Sequence, residues 1–179
     1  GSTVMYNAAS GDHRWEVGGT EKMRLYSTGE VTKSANPAFR AYTSTEWTSN
    51  GIISSGWNDS QYSDGRTYDI AGNFNVSNGR FTAPVEGKYH IHGSIYAQKH
   101  SSAAVNDYIH FLVYINGQQI NEIYTIGGYG QPSNYEFSNN ISTIILLEAN
   151  DYVEWKVYST TTYMKLYADH LSIGAHMIS

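Results

Sequence analysis

The stretch from Gly79 to Ile95 constrains the fold more than any other part of the chain. Phe81 closes one short apolar segment, and Pro84 interrupts it because proline cannot donate a hydrogen bond to a sheet. Gly87 then predicts a turn position. Beyond it, apolar or small residues at 89, 91, 93 and 95 alternate with Lys88, His90, His92 and Ser94. A period of two predicts a strand with one buried face, so the stretch indicates strand, tight turn and strand.

This stretch resembles a signature of the C1q/tumour-necrosis-factor-like jelly-roll family, G-x-F-x-A-P-x-x-G-x-Y-x-F. In this chain the signature runs from Gly79 to Ile91, and Ile91 stands where the family usually carries Phe. Residues 146–153 resemble the family's L-x-x-G-D-x-V turn, with Asn150 in place of Gly. The resemblance covers residues 38–178. It implies an all-β, antiparallel jelly-roll sandwich that assembles as a homotrimer.

The hydrophobic pattern predicts a succession of strands over this range, joined by alternating short and long connections. The short connections are Pro84–Gly87, the Asn-Gly hairpin turn at 116–117 and Glu148–Asp151. Because successive antiparallel strands reverse direction, the long connections should share the opposite end. The predicted strands are 38–42, 74–81, 88–97, 107–115, 119–126, 141–147, 152–158 and 170–178, and the long loops are 98–106, 127–139 and 159–169.

Residues 1–36 differ from the rest, and we interpret residues 37–179 as a separate jelly-roll domain. Gly1-Ser2 resembles a cloning remnant, and residues 13–31 predict short β-hairpin strands separated by glycines. Such a segment is too small to bury a core alone. It is either a leader docked on the main domain or the end of a trimeric fibre shaft. The run Gly18 to Val31 resembles a segment of bacteriophage tail and head fibres.

Composition and motifs exclude several classes of function. The formal net charge of −5 disfavours nucleic-acid binding, and no apolar run approaches the length needed for membrane insertion. Catalytic motifs with a cysteine nucleophile, a nucleophile elbow, a phosphate loop or a zinc helix are missing, so we do not expect an enzyme. The chain has no cysteine. We therefore expect oligomerisation to supply stability that disulfides would otherwise supply.

The strand over 141–147 departs from the alternation seen elsewhere. Ile144-Ile-Leu-Leu147 is apolar on both faces, so its second face should meet something other than water. A loop or the N-terminal arm is one candidate. The resemblance instead implies a subunit interface on that face. The predicted trimer-interface residues are Ile144, Ile145, Leu146, His90, His92 and His176.

The pair His90 and His92 points away from the core face by strand parity. Imidazoles gathered near a three-fold axis would suit a transition metal such as iron, nickel or zinc. Two alternatives remain open at this point: a protonation-sensitive interface, and ordinary structural roles. No other cofactor is expected.

The long loops combine aromatic residues with Gly, Ser, Thr and Asn, a mixture that favours binding surfaces. The alternative is that these are polar connections with tyrosines packed beneath them. The predicted receptor-binding residues are Tyr129, Asn134, Tyr135, Phe137, Tyr163 and Tyr167.

These observations together predict the C-terminal trimerising and receptor-binding domain of a viral fibre, in particular a bacteriophage fibre. Such a protein would be exposed on the virion surface, and its partner would be a host-surface glycan or protein. Two alternatives are a secreted cellular C1q-like ligand or adhesive module, and a structural decoration of a virion.

Overall fold

A computed structural model describes residues 11–34, 36–43, 46, 51–53, 57–58, 67–167 and 170–179, with the side chains of 51–53, 57–58 and 123 excepted. The Gly1-Ser2 pair lies outside these residues. The chain divides into two compact units, Gly1–Asn36 and Pro37–Ser179. Throughout the described ranges the regular structure is β-strand, which confirms the predicted all-β class. No helix in this part of the chain is long and apolar enough to cross a membrane.

The first unit contains a three-stranded antiparallel sheet in the order β1-β2-β3. Gly18 and Gly19 form the turn between β1 and β2, with φ angles of 60° and 76° that favour glycine. The strands are β1 (His13–Val17), β2 (Thr20–Leu25) and β3 (Val31–Thr32).

The second unit is an antiparallel sandwich of two sheets, as the pattern predicts. Its strands are β4 (Ala38–Thr43), β5 (Gly51–Ile53), β6 (Trp57–Asn58), β7 (Tyr68–Ile70), β8 (Phe74–Asn75), β9 (Arg80–Thr82), β10 (Gly87–Lys99), β11 (Ile109–Ile115), β12 (Gln118–Gly127), β13 (Glu136–Leu147), β14 (Tyr152–Ser159), β15 (Met164–Leu166) and β16 (Ser172–Met177).

Sheet I has the order β13-β10-β16-β4-β6, and two short strands join it, since β15 also pairs with β10 and β7 with β4. Sheet II has the order β12-β11-β14-β9-β8, and β5 also pairs with β14. Strands that follow one another in sequence therefore often belong to different sheets, so the chain crosses repeatedly between sheet I and sheet II. The strand β15 falls within the predicted loop 159–169, so part of that loop is sheet. The start of β13 at Glu136 likewise shortens the predicted loop 127–139.

The core lies between the two sheets and is built from the alternate positions that the pattern marks as apolar. On β10, Tyr89, Ile91 and Ile95 are completely buried. The opposing sheet supplies Phe111 and Trp155. A Cβ atom at Gly93 would lie 2.6 Å from Cζ of Phe111, so glycine is needed where β10 passes closest to these rings.

Two turns at the short-connection end use asparagine in the left-handed region. Asn150 has φ of 75°, a backbone conformation that asparagine tolerates better than most residues other than glycine. Asn116 has φ of 51° and begins the tight turn between β11 and β12. Gly87 differs from the prediction: it is the first residue of β10, and a Cβ there would lie 2.6 Å from the carbonyl oxygen of Ser179. Close packing, rather than turn conformation, requires this glycine.

Hydrogen bonds join the three long connections at the other end, as the alternation of strand direction predicts. The amide of His100 donates to the carbonyl of Tyr163 (2.8 Å), and the amide of Gly130 donates to that of Val105 (2.9 Å). The amide of Asn134 donates to the carbonyl of Lys99 (2.8 Å). The loops therefore form one connected layer.

Lys99 lies beneath this layer and is completely buried. Its Nζ contacts five backbone carbonyl oxygens, which the three ammonium hydrogens must share. Burial lowers the pKa of Lys99, and the Asp107 carboxylate opposes that shift. The acceptors are the carbonyls of Ala104 (2.7 Å), Val105 (3.2 Å), Asp107 (3.2 Å), Gly128 (3.0 Å) and Gln131 (3.0 Å).

Candidate functional site

The outer face of sheet I, on the side away from the core, carries the predicted interface and metal residues. Three neighbouring strands, β13, β10 and β16, form this part of the face. Their antiparallel register decides which side chains lie next to one another across the strands. His90 of β10 pairs with Ile144 of β13 on one side and with His176 of β16 on the other. One row along, His92 lies between Ser142 and Gly174. Both histidines leave the core face, as strand parity predicts.

The imidazole of His92 lies over the backbone of β16 at Gly174. A Cβ atom on Gly174 would lie 2.5 Å from Nε2 of His92 and 2.8 Å from the carbonyl oxygen of Phe39. Any larger residue would displace the ring. The Nδ1 atom of His92 is buried and has no hydrogen-bond partner among the described residues. A ring nitrogen of His92 is therefore a buried polar atom that these residues leave unsatisfied.

The rings of His90, His92 and His176 form a cluster. The ring centroids of His90 and His92 are 5.4 Å apart, and those of His90 and His176 are 5.0 Å apart. One nitrogen from each ring lies within 4.8 Å of the other two. The sequence marks His90 and His92 as metal candidates and places His176 on the interface; the pairing of β16 with β10 adds His176 to the cluster.

The environment of the cluster favours neutral imidazoles. Burial lowers the pKa of His92 to about 4, with further contributions from His90, His176 and Arg40. Burial and His90 also lower the pKa of His176. The Nε2 atom of His90 lies 2.8 Å from Oγ of Ser142. If that nitrogen carries the proton and donates it to Ser142, the Nδ1 lone pair of His90 is free.

Next to the cluster, β13 exposes two apolar side chains. Ile144 is 58% exposed and Leu146 is 66% exposed. Ile145, which the sequence also assigned to the interface, instead packs against the core from the inner face of the strand. The apolar run therefore divides by parity: Ile145 and Leu147 pack into the sandwich, whereas Ile144 and Leu146 point outward and are exposed in the part of the chain that the structure describes.

The central part of this face carries little charge. Ser94 of β10 pairs with Asn140 of β13 and with Ser172 of β16. These three residues form a further row across the face, next to the row that contains His92, and none of them is charged. Charged side chains lie to the sides, with Lys88 opposite Leu146 and Arg40 opposite Gly174. The core of a protein interface is typically depleted of charge in this way.

The predicted receptor-binding residues lie on or beside the loop layer, but their ring contacts divide them into separate groups. Tyr129 approaches Tyr108, at 6.1 Å between ring centroids, and Tyr163 stacks on His100 at 6.2 Å. Exposed Tyr135 stacks on Phe137 at 6.3 Å.

The remaining members of that set are less available. The hydroxyl of Tyr167 donates to Oε1 of Gln98 at 2.8 Å. Asn134 is exposed and has φ of 63°, which suits a tight turn. Phe137 packs against the core, because it belongs to β13 and not to a loop. Phe137 therefore has a structural role in the sandwich, and its part in a binding surface stays a prediction.

An aromatic cluster on the outer side of sheet II was missed by the sequence reasoning. His110 stacks on Tyr108 (4.9 Å) and contacts Tyr124 (5.6 Å) and Tyr158 (6.1 Å). Tyr124 and Ile126 are exposed beside a shallow cleft that Gln119 and Asn121 also line. The alternation along the strands predicts that residues 108, 110, 124 and 126 point away from the core. It does not predict that these residues lie side by side, because that depends on the pairing of β11 with β12.

Neither a protein-family model nor a curated protein matches this chain.

Proposed function

We propose that residues 37–179 form a C1q-like jelly roll that assembles as a homotrimer and serves as the receptor-binding end of a viral fibre, in particular a bacteriophage fibre. The single observation that carries the proposal is the exposed pair Ile144 and Leu146 on the outer face of sheet I. The strand order in the two sheets and the resemblance at residues 79–91 support it.

The occupant of this face is a second copy of the chain. Burial of the two side chains would contribute about 25 cal/mol per Å² of apolar surface, before the cost of association is deducted. The face is low in charge at its centre, so identical copies can approach without strong repulsion. A three-fold arrangement rather than a dimer follows from the resemblance.

Recognition of a host-surface glycan or protein is assigned to the loop layer at the end opposite the short turns. Exposed Tyr129 and Tyr163 are its main candidates, because tyrosine offers contact area at a low entropic cost. Buried Lys99 supports this assignment, since its Nζ contacts carbonyls from two of the loops and so holds them in a defined position. The aromatic cluster around His110 is the second candidate for the recognition surface.

Multi-angle light scattering tests the assembly. The parent protein should have three times the chain mass at micromolar concentration, and Ile144→Asp should reduce it to one chain because the carboxylate would be buried without a partner. Ile126→Asp is the matched control, since Ile126 is exposed on the other sheet. A monomeric parent, or dissociation by the control alone, would refute the assembly.

Light scattering does not distinguish a viral receptor-binding domain from the two alternative functions, because all three would be trimeric. Binding to cells must therefore be measured as well. A secreted cellular ligand or adhesive module would also be trimeric, but it would bind animal cells or matrix rather than bacteria. A structural virion decoration would be trimeric and would bind neither. Binding of labelled trimer to a panel of bacterial cells distinguishes the three.

A further inference from the structure

The three imidazoles on the outer face of sheet I come from one chain and converge without any contribution from a partner. His90 and His92 are two residues apart on β10, which places both rings on one face of the strand. His176 is held opposite His90 by the antiparallel register. β10 is paired on both sides, with β13 and β16, so the three rings start from a preorganised arrangement.

The geometry points to a divalent transition-metal site formed by His90, His92 and His176, with one ion bound per chain. Zinc binds imidazole nitrogen at about 2.0–2.1 Å, so two ligands of a tetrahedral ion lie about 3.4 Å apart. The observed nitrogens lie within 4.8 Å of one another. Modest side-chain rotations would close this difference, and the space over Gly174 accommodates the ring of His92.

The surroundings of the three rings suit such an ion. Imidazole is a preferred ligand of zinc, nickel and copper, and it must be neutral to bind them. Ser142 can hold the second nitrogen of His90, in the manner in which metal-bound histidines usually donate their other ring nitrogen to an oxygen. The fourth position would face away from the core, on the outer side of sheet I.

This site differs from an axial site shared by three chains. An axial ion would give one metal for every three chains and would require the trimer. A site within one chain gives one metal per chain and survives when the trimer is dissociated. The inference therefore does not depend on the proposed assembly.

Isothermal titration with ZnCl₂ and NiCl₂, on protein purified without a polyhistidine tag and stripped with EDTA, tests the site. We expect one ion per chain for the parent and also for Leu146→Arg, a dissociating variant that adds no metal ligand and lies opposite Lys88 rather than opposite His90. His92→Gln and His176→Gln should each weaken binding by roughly tenfold or more, as expected when a ligand is removed. His100→Gln is the matched control, because His100 is exposed and stacks on Tyr163 away from the cluster.

His176 is exposed on the sheet surface, so His176→Gln should fold even if His92→Gln does not. Circular dichroism of each variant checks this. The inference is overturned if the stripped protein binds neither ion, or if the stoichiometry is one ion for three chains. It is also overturned if His176→Gln binds as the parent does, or if His100→Gln weakens binding equally.

Discussion

The buried ammonium of Lys99 is expected to stabilise the loop end of the sandwich, and Lys99→Met tests this directly. Methionine has a similar length and keeps the apolar contacts of the stem, but it removes every donor. The carbonyls of residues 104, 105, 107, 128 and 131 would then lose the nitrogen that they share. Two separate segments of chain, 104–107 and 128–131, would lose their common attachment.

The expected cost follows from how buried each contact is. The contact with Gly128 is buried, and the other four are partly buried. A buried carbonyl that loses its partner costs about 1–3 kcal/mol. The four partly buried carbonyls can form hydrogen bonds with water instead, so we assign a loss of about 0.5 kcal/mol to each of them. The free energy of unfolding should therefore fall by about 3–5 kcal/mol in total.

Urea denaturation followed by tryptophan fluorescence, to which buried Trp155 contributes, measures this change. The protein concentration is kept fixed because assembly shifts apparent stability. Amide hydrogen exchange should show lost protection at residues 130 and 134, whose amides donate within the loop layer. Lys165→Met is the control: its ion pair with Glu46 is at the surface and should contribute less than about 1 kcal/mol.

Two results would refute the reasoning about Lys99. One is a variant as stable as the parent, which would mean that desolvation of the ammonium cancels its hydrogen bonds. The other is a loss of stability with unchanged exchange in the loops, which would place the effect in the core rather than in the loop layer.

Two further predictions concern the loop layer and the aromatic cluster. Tyr129→Ala and Tyr163→Ala should each weaken binding of labelled trimer to susceptible cells by about 30-fold if they are hot spots, whereas exposed Tyr68→Ala should not; normal binding by both loop variants would move recognition to the cluster around His110. Burial lowers the pKa of His110 below 6.5, so the unfolded chain binds the proton more readily and stability is lost as the pH falls below that value. Between about pH 7 and pH 5 the melting temperature of the parent should therefore fall more than that of His110→Gln, and equal slopes would contradict this.

Much of the sandwich follows from local pattern. Alternation along residues 88–97 predicts which side chains of β10 enter the core, because a strand turns successive residues to opposite faces. Asn116-Gly117 predicts a hairpin because both residues tolerate positive φ. The outward direction of His90 and His92 follows from the same parity. These properties depend only on neighbours in the chain.

Other properties depend on which strands become neighbours, and no local pattern contains them. The run Ile144 to Leu147 is apolar on both faces, so only the register with β10 decides that Ile145 enters the core and Ile144 leaves it. His176 is far from His90 in sequence, and they meet because the last strand pairs with β10. The contacts of Lys99 could not be predicted from the sequence for the same reason. The carbonyls that accept from its ammonium belong to two loops that only the folded sandwich brings together. Many strand pairings are compatible with the same alternation of apolar and polar residues. Only the contacts of the complete fold decide which strands pair and in which register.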